Sequence, residues 1–191
     1  MIKKEDAKRK TMTALLKVAR EHFTQEGYHD ASLEKIAEEA HVTRGAVYHH
    51  FKNKLGLFLA VLELVQQDVA AMIEEEAITS EDLWEQLILG SWGFIKAANK
   101  DECRRILLVD APGVVGWEAW RRVDQENSQS VLKSHIDLLQ QKGCLAEDVD
   151  TTLMAIALSG ALNELALNYS IQDPTDLLAT IRRLVDGFKA T

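Results

Sequence analysis

The chain has 191 residues, 47% of them hydrophobic, and a formal net charge of −8, so it is globular, with material for one larger or two unequal cores. The charge is unevenly spread: residues 1 to 56 hold 11 Lys/Arg against 8 Asp/Glu, whereas residues 57 to 191 hold 11 against 22. A balance of +3 beside one of −11 excludes nucleic acid wrapped around the whole molecule and reserves any such partner for the N-terminal part.

Cys103 and Cys144 lie far apart inside apolar helical patterns, which suggests neither a metal motif nor a disulfide framework and points to a reducing cytoplasm. No apolar run approaches the ~18 residues of a membrane span. The KKEDAKRK tract near the N-terminus lacks the apolar centre of a signal peptide, so a cytoplasmic protein with no membrane association is expected.

Two prolines in the whole chain and no alternating Val/Ile/Thr run bounded by turns predict an all-α fold. A first helix over about residues 8 to 26 places Met12, Leu15, Leu16, Ala19 and Phe23 on one face and stops at Gly27. Residues 31 to 57, ASLEKIAEEAHVTRGAVYHHFKNKLGL, then hold two short helical patterns joined by a turn too brief to be a linker. In the first, Leu33, Ile36, Ala37 and Ala40 share a face, with Ser32 as cap and Glu34 in the positive first turn. After a turn through His41 and Val42, Thr43 caps a second helix with Val47 and Phe51 inward and Arg44, Gly45, Tyr48 and His49 outward. This is a helix-turn-helix, whose second helix fits the major groove of DNA. From Lys54 to about Ala77 a long pattern through Leu55, Phe58, Leu62, Val65, Val69, Met72 and Ile73 joins the basic part to the acidic part. Further helices are expected over about 80 to 98, over 101 to 110 with a break at Pro112 and Gly113, and over 115 to 142 with a stop at Gly143. Two more follow, over about 148 to 170 and from Pro174 to about 188.

The N-terminal 58 residues resemble the DNA-binding domain of the TetR family of bacterial transcriptional regulators. The likeness is carried by the first helix ending near Gly27 and Tyr28, the run Ser32-Leu33-Glu34-Lys35-Ile36-Ala37, then Val42-Thr43-Arg44-Gly45, and Tyr48, Phe51, Lys54 and Leu57 at their spacing. Beyond them the resemblance is one of helical architecture, with a stretch from Arg105 through Pro112 to Trp117 similar to one found in part of the family. It implies a three-helix DNA-binding domain over residues 1 to 56 and a C-terminal helical domain for ligand binding and dimerisation over residues 57 to 191. It also implies a homodimer on palindromic double-stranded operator DNA.

Arg44 carries the guanidinium fork that pairs with guanine O6 and N7, a contact worth about 1–3 kcal/mol of discrimination. Gly45 and Ala46 leave room for close approach or for a thymine methyl. The resemblance implies phosphate or base-edge contacts for Tyr48, His49 and His50, with partial burial as the other reading of Tyr48 and His50. Lys54 opens the next helix, where an ammonium and free amides can share one phosphate. Thr43 divides its hydroxyl between capping and phosphate contact, and Ser32, the other cap, is assigned to the same surface. The family often has glycine where this chain has His41, in left-handed backbone; histidine gives up roughly 1 kcal/mol there and is assigned no base-reading role.

Five of the six histidines, His22, His29, His41, His49 and His50, lie in the N-terminal part, but no HExxH motif or cysteine pair completes a site, so no metal and no cofactor are expected. The lack of a G-x-S-x-G motif, a phosphate-binding glycine loop and a dinucleotide fingerprint speaks against an enzyme. In the acidic part, Leu153, Ile156, Ala157, Gly160, Ala161 and Leu165, then Leu177, Leu178, Ile181, Leu184, Val185 and Phe188, form two apolar faces. The resemblance implies that these helices pair with their copies in a four-helix dimer interface; an intrachain core is the alternative. Trp84, Trp92, Phe94, Trp117 and Trp120, with Met72 and Met154, supply large apolar groups for an effector pocket, though each singly also suits a core. Asp110, Asn127, Asn163, Glu164 and Asn168 could orient a small-molecule effector there. The function read from the sequence is a repressor released by that effector, with the helix from Lys54 as lever. A regulator governed by a protein partner or acting as an activator, and a helical enzyme or interaction module, are the alternatives.

Overall fold

Side-chain caps and apolar spacing dictate helix after helix, and the computed structural model, which describes residues 2–126, 128–169 and 174–190, has the all-α fold expected. In chain order these are α1 (Ile2–Gln25), α2 (Gly27–Asp30), α3 (Leu33–Glu39), α4 (Arg44–Phe51), α5 (Lys54–Ala77), α6 (Leu83–Ala98) and α7 (Asp101–Cys103). A π-helical segment (Arg104–Asp110) leads into α8 (Ala111–Val115), followed by α9 (Trp117–Glu126), α10 (Ser128–Gln141), α11 (Thr151–Asn168) and α12 (Pro174–Asp186). Asp82 Oδ1 accepts from the Glu85 amide at 2.8 Å and Asp150 Oδ1 from the Thr152 and Leu153 amides at 2.8 and 3.0 Å, caps worth about 1 kcal/mol each. An isolated antiparallel bridge joins Leu145 to Lys189.

The chain forms two compact units, one of Met1–Gln66 with Asp101–Val115 and one of Gln67–Lys100 with Gly116–Thr191. The break expected after residue 56 falls inside α5, which continues without interruption to Ala77. Residues 101–115 return to the first unit, which no periodicity in the sequence announces. The core of that unit gathers Leu15, Ala19 and Phe23 of α1, Ile36 and Ala37 of α3, Val47 of α4, Leu57, Phe58 and Val61 of α5, and Ile106. Phe23 meets Phe58 edge-on at 5.2 Å between ring centroids, and Tyr28 meets Phe58 at 5.0 Å.

The second unit buries Leu87, Ile88 and Ile95 of α6, Ile136 and Leu139 of α10, Met154, Leu158 and Leu162 of α11, and Leu177, Ile181 and Val185 of α12. A side chain at Gly93 would stand 2.7 Å from Met72 O and 3.0 Å from Ile73 Cα, so glycine lets α6 lie directly on the α5 backbone. Arg182 grips Glu85 with both terminal guanidinium nitrogens, Nη1 at 2.7 Å and Nη2 at 2.5 Å, and ties α12 to α6.

Two expectations are corrected. Pro112 and Gly113 do not break the run that begins at Asp101; helix continues to Val115 and stops before Gly116, at φ 85. Pro112 stands in the first turn of α8, just after the wider π ladder, where a missing amide is tolerated. The second concerns membrane length: α5 is, by length and composition alone, long and apolar enough to cross a membrane. Its Leu57, Phe58, Val61, Leu62, Val65 and Val69 are at most 5% exposed, so protein core covers these side chains.

Candidate nucleic-acid interface

Two hydroxyl caps set the starts of α3 and α4. Ser32 Oγ accepts from the Lys35 amide at 3.4 Å and opens α3; Thr43 Oγ1 accepts from the Ala46 amide at 3.2 Å and opens α4. Between them the His41 amide donates to Glu38 O and the Val42 amide to Ala37 O, the paired closure of a Schellman turn. His41 sits there at φ 54, the left-handed position expected of it. With Leu33, Ile36 and Val47 packed inward, Arg44, Gly45, Tyr48 and His49 face solvent, while Ala46 and His50 are half-buried. A side chain at Gly45 would meet only the Thr43 hydroxyl, 3.9 Å away, so the backbone there is open to close approach.

Arg44 is held by its own chain. Its Nη1 lies 3.0 Å from Glu34 Oε1 across the turn, its Nη2 donates to Tyr48 Oη at 3.3 Å, and its guanidinium carbon is 5.3 Å from the Tyr48 ring centroid. Glu34 Oε2 in turn accepts from Ser32 Oγ at 3.1 Å. The backbone amide of Glu34, then the Ser32 hydroxyl and then the Arg44 charge hold the Glu34 carboxyl below the usual carboxylate range. The hydrogen bond to Tyr48, then the Glu34 charge, raise that of Arg44. Arg44, Glu34 and Tyr48 are all exposed, so this set can exchange for other hydrogen-bonding groups at small cost. In the sequence Glu34 stands out only as a first-turn acid; the signal it carries is an acid and a base at the starts of two helices joined by a short turn.

Lys54 Nζ donates to His29 O at 2.8 Å and stands 4.9 Å from the Tyr28 ring centroid. An ammonium has three donors, so this leaves capacity for a phosphate. Asn53 Oδ1 accepts from the Gly56 amide at 2.8 Å and takes one of the amides expected to be free at the start of α5. Asn53 is not among the residues expected here, although asparagine ahead of a helix is a common cap.

The residues expected to bind an effector are scattered. Asp110 lies in the first unit, where Oδ2 accepts from the Tyr28 amide at 2.8 Å and Oδ1 from Arg105 Nε at 3.1 Å. It is there because the 101–115 run returns to that unit, held also by the Arg20 Nε to Glu102 bond of 2.9 Å. Gly27, at φ 79, makes room: a side chain on it would fall 1.9 Å from Arg105 Nη2.

In the second unit, Trp84 is buried and donates from Nε1 to Asp186 Oδ1 at 2.8 Å, with Lys189 Nζ 5.4 Å from its ring. Trp84 lines a hollow of about 410 Å³ with Glu81, Asp82, Lys142, Cys144 and Lys189, and no other residue of the expected set reaches it. Trp117 is exposed and stacks on buried Trp120 with ring centroids 5.1 Å apart. Met72, Trp92, Phe94 and Asn163 are half-buried, and exposed Glu164 accepts from Asn168 Nδ2 at 2.7 Å. Asn127 lies outside the described residues. Among the described residues no group of three or more His, Cys, Asp or Glu side chains is placed to hold a metal ion.

On α11 the inward side is Met154, Ala155, Leu158, Leu162 and Ala166; Leu153, 64% exposed, Ile156, Ala157 and Gly160 form a solvent-facing stripe at helical spacing. A side chain at Gly160 would meet nothing within 4 Å. On α12, Leu184 is exposed as well.

Residues 15–61 match the family described as bacterial regulatory proteins, tetR family, and residues 84–190 match the tetracyclin repressor-like C-terminal domain. The probable acrEF/envCD operon repressor of Escherichia coli strain K12 is 29% identical over 175 residues, 84% of this chain and 76% of that one. The HTH-type transcriptional repressor AcnR of Corynebacterium glutamicum is 27% identical over 181 residues, 91% of this chain and 89% of that one. Among solved structures, a tetR-family transcriptional regulator from Pectobacterium atrosepticum is 30% identical, with 97% of both chains covered and a TM-score of 0.74. FadR from Bacillus subtilis, solved in complex with stearoyl-CoA, is similar in fold at 18% identity, with 91% of this chain and 97% of that one covered and a TM-score of 0.75.

Proposed function

Because this chain belongs to the tetR family of bacterial regulatory proteins, we propose that it is a cytoplasmic, ligand-responsive repressor that binds a palindromic operator as a homodimer. The observation that carries this reading is the solvent-facing side of α4, capped by Thr43 and led by Arg44, in the basic part of an otherwise acidic chain. Arg44 reads a guanine; Gly45 and Ala46 allow close approach to the groove floor; Tyr48, His49 and His50 meet phosphates or base edges; Ser32, Thr43 and Lys54 position the domain on phosphates.

The stripe of Leu153, Ile156, Ala157 and Gly160 supports dimerisation, since a second copy of α11 would cover apolar groups that water covers in the single chain. A palindromic operator asks the two copies of α4 to stand about one helical turn, ~34–36 Å, apart. Effector control draws support from α5, one unbroken helix from Lys54 past Met72, and from the fold shared with a regulator solved with stearoyl-CoA. Release by a factor of 100 needs about 2.8 kcal/mol of differential effector binding between the two states. The aromatic and thioether groups Met72, Trp92 and Phe94 of the second unit are the effector-binding candidates.

Titration of the full chain against the DNA upstream of its own gene tests the reading. Specific, salt-sensitive retardation that Arg44→Ala weakens is the expected result. Equal binding of that DNA and an unrelated duplex would overturn it.

A further inference from the structure

We propose that Glu34 is a specificity-determining residue that acts through Arg44, withholding its guanidinium from phosphates and yielding it to a guanine. The inference rests on Arg44 as the base reader. Duplex DNA offers one phosphate per ~3.4 Å of each strand, so an unpaired arginine on a DNA-facing helix strengthens binding to every sequence alike. Here Glu34 Oε1 holds Nη1 at 3.0 Å and Tyr48 Oη holds Nη2 at 3.3 Å, so both terminal nitrogens are engaged before DNA arrives.

The carboxylate cancels the charge of Arg44 and is itself fixed, because Ser32 Oγ donates to its other oxygen at 3.1 Å. Exchanging it for a phosphate swaps one oxyanion for another and leaves Glu34 beside the negative backbone, a substitution with little net gain. Guanine differs. Its O6 and N7 meet the guanidinium fork as two phosphate oxygens also can, but they carry no net charge, so both terminal nitrogens find acceptors without a second anion standing beside Glu34. Glu34 thereby lowers affinity for non-specific DNA more than affinity for the operator, and discrimination rises.

A double-mutant cycle reads this directly. Operator, operators changed one base pair at a time, and unrelated duplex are titrated at one salt concentration with the wild type, Glu34→Gln, Arg44→Ala and the double variant. Glu34→Gln keeps the side-chain shape and removes the charge, and both positions are exposed. Glu34→Gln is expected to tighten unrelated duplex and to cut the preference for guanine at the base pair that Arg44 reads by about two- to tenfold, with no effect on that preference in the Arg44→Ala background. An equal shift for all sequences in both backgrounds, or no shift at all, overturns the proposal while leaving Arg44 as reader. If Arg44→Ala leaves discrimination intact at every base pair, the Arg44 reading itself fails and takes the proposal with it.

Discussion

Arg44 and Lys54 carry the same charge, yet their surroundings differ, and the proposed interface gives them different tasks. The planar fork of Arg44 matches one base edge, so Arg44→Ala should cost about 1–3 kcal/mol of discrimination at one position and little at the others. Lys54 is a point charge beside the Tyr28 ring and the His29 carbonyl. Its replacement by alanine should weaken all sequences alike and reduce the slope of log K against log salt by about 1, as titrations at several salt concentrations would record. His41→Gly relieves a side chain held at φ 54 and should add roughly 1 kcal/mol of stability without changing DNA affinity. A large loss of affinity would give His41 a role on the DNA. The caps Ser32 and Thr43 are legible in the sequence because capping is local. The Glu34–Arg44 pair is not, since it depends on the angle at which α3 and α4 cross.

Between elements, contact chemistry decides more than periodicity does. Gly93→Ala puts a methyl group 2.7 Å from Met72 O, where α5 backbone cannot yield as a side-chain tip would. The variant should lose about 1–3 kcal/mol in denaturant unfolding despite the better helix propensity of alanine; an unchanged midpoint would contradict the close approach. The α6–α12 tie behaves differently, because it titrates. The hydrogen bonds from Arg182 are the main cause that holds the Glu85 carboxyl below its ordinary value. The unfolded chain therefore takes up that proton first, so the stabilisation is complete above the ordinary glutamate range and fades as pH falls through the lower native value. Melting of wild type and Glu85→Gln should show a gap at neutral pH that closes in acid, and a pH-independent gap would contradict this. The bounds of α5 follow from its apolar pattern, and they are found as expected. The run through Pro112 misleads because proline in a first turn and proline as a breaker look alike until the preceding ladder is known.

For the whole molecule, the helix content and the N-terminal helix-turn-helix are legible because both are written in spacing. The assignment of residues 101–115 to the first unit is not, and Asp110, a plausible ligand group by residue type, holds the Tyr28 amide instead. Dimerisation belongs to this scale: molar mass in solution should be twice that of one chain, and Leu153→Glu with Ile156→Glu should halve it while helicity is retained. Loss of helicity in that variant would instead assign the stripe to folding of the single chain. Selecting bound sequences from random duplex DNA would reveal whether a symmetric pair of α4 helices, each reading DNA through Arg44, engages the operator. Two inverted half-sites about 10–10.5 bp apart, centre to centre, are expected, with a guanine at the same position in each that is no longer enriched by Arg44→Ala. Enrichment of a single asymmetric site, or of the same guanine by Arg44→Ala, would contradict this.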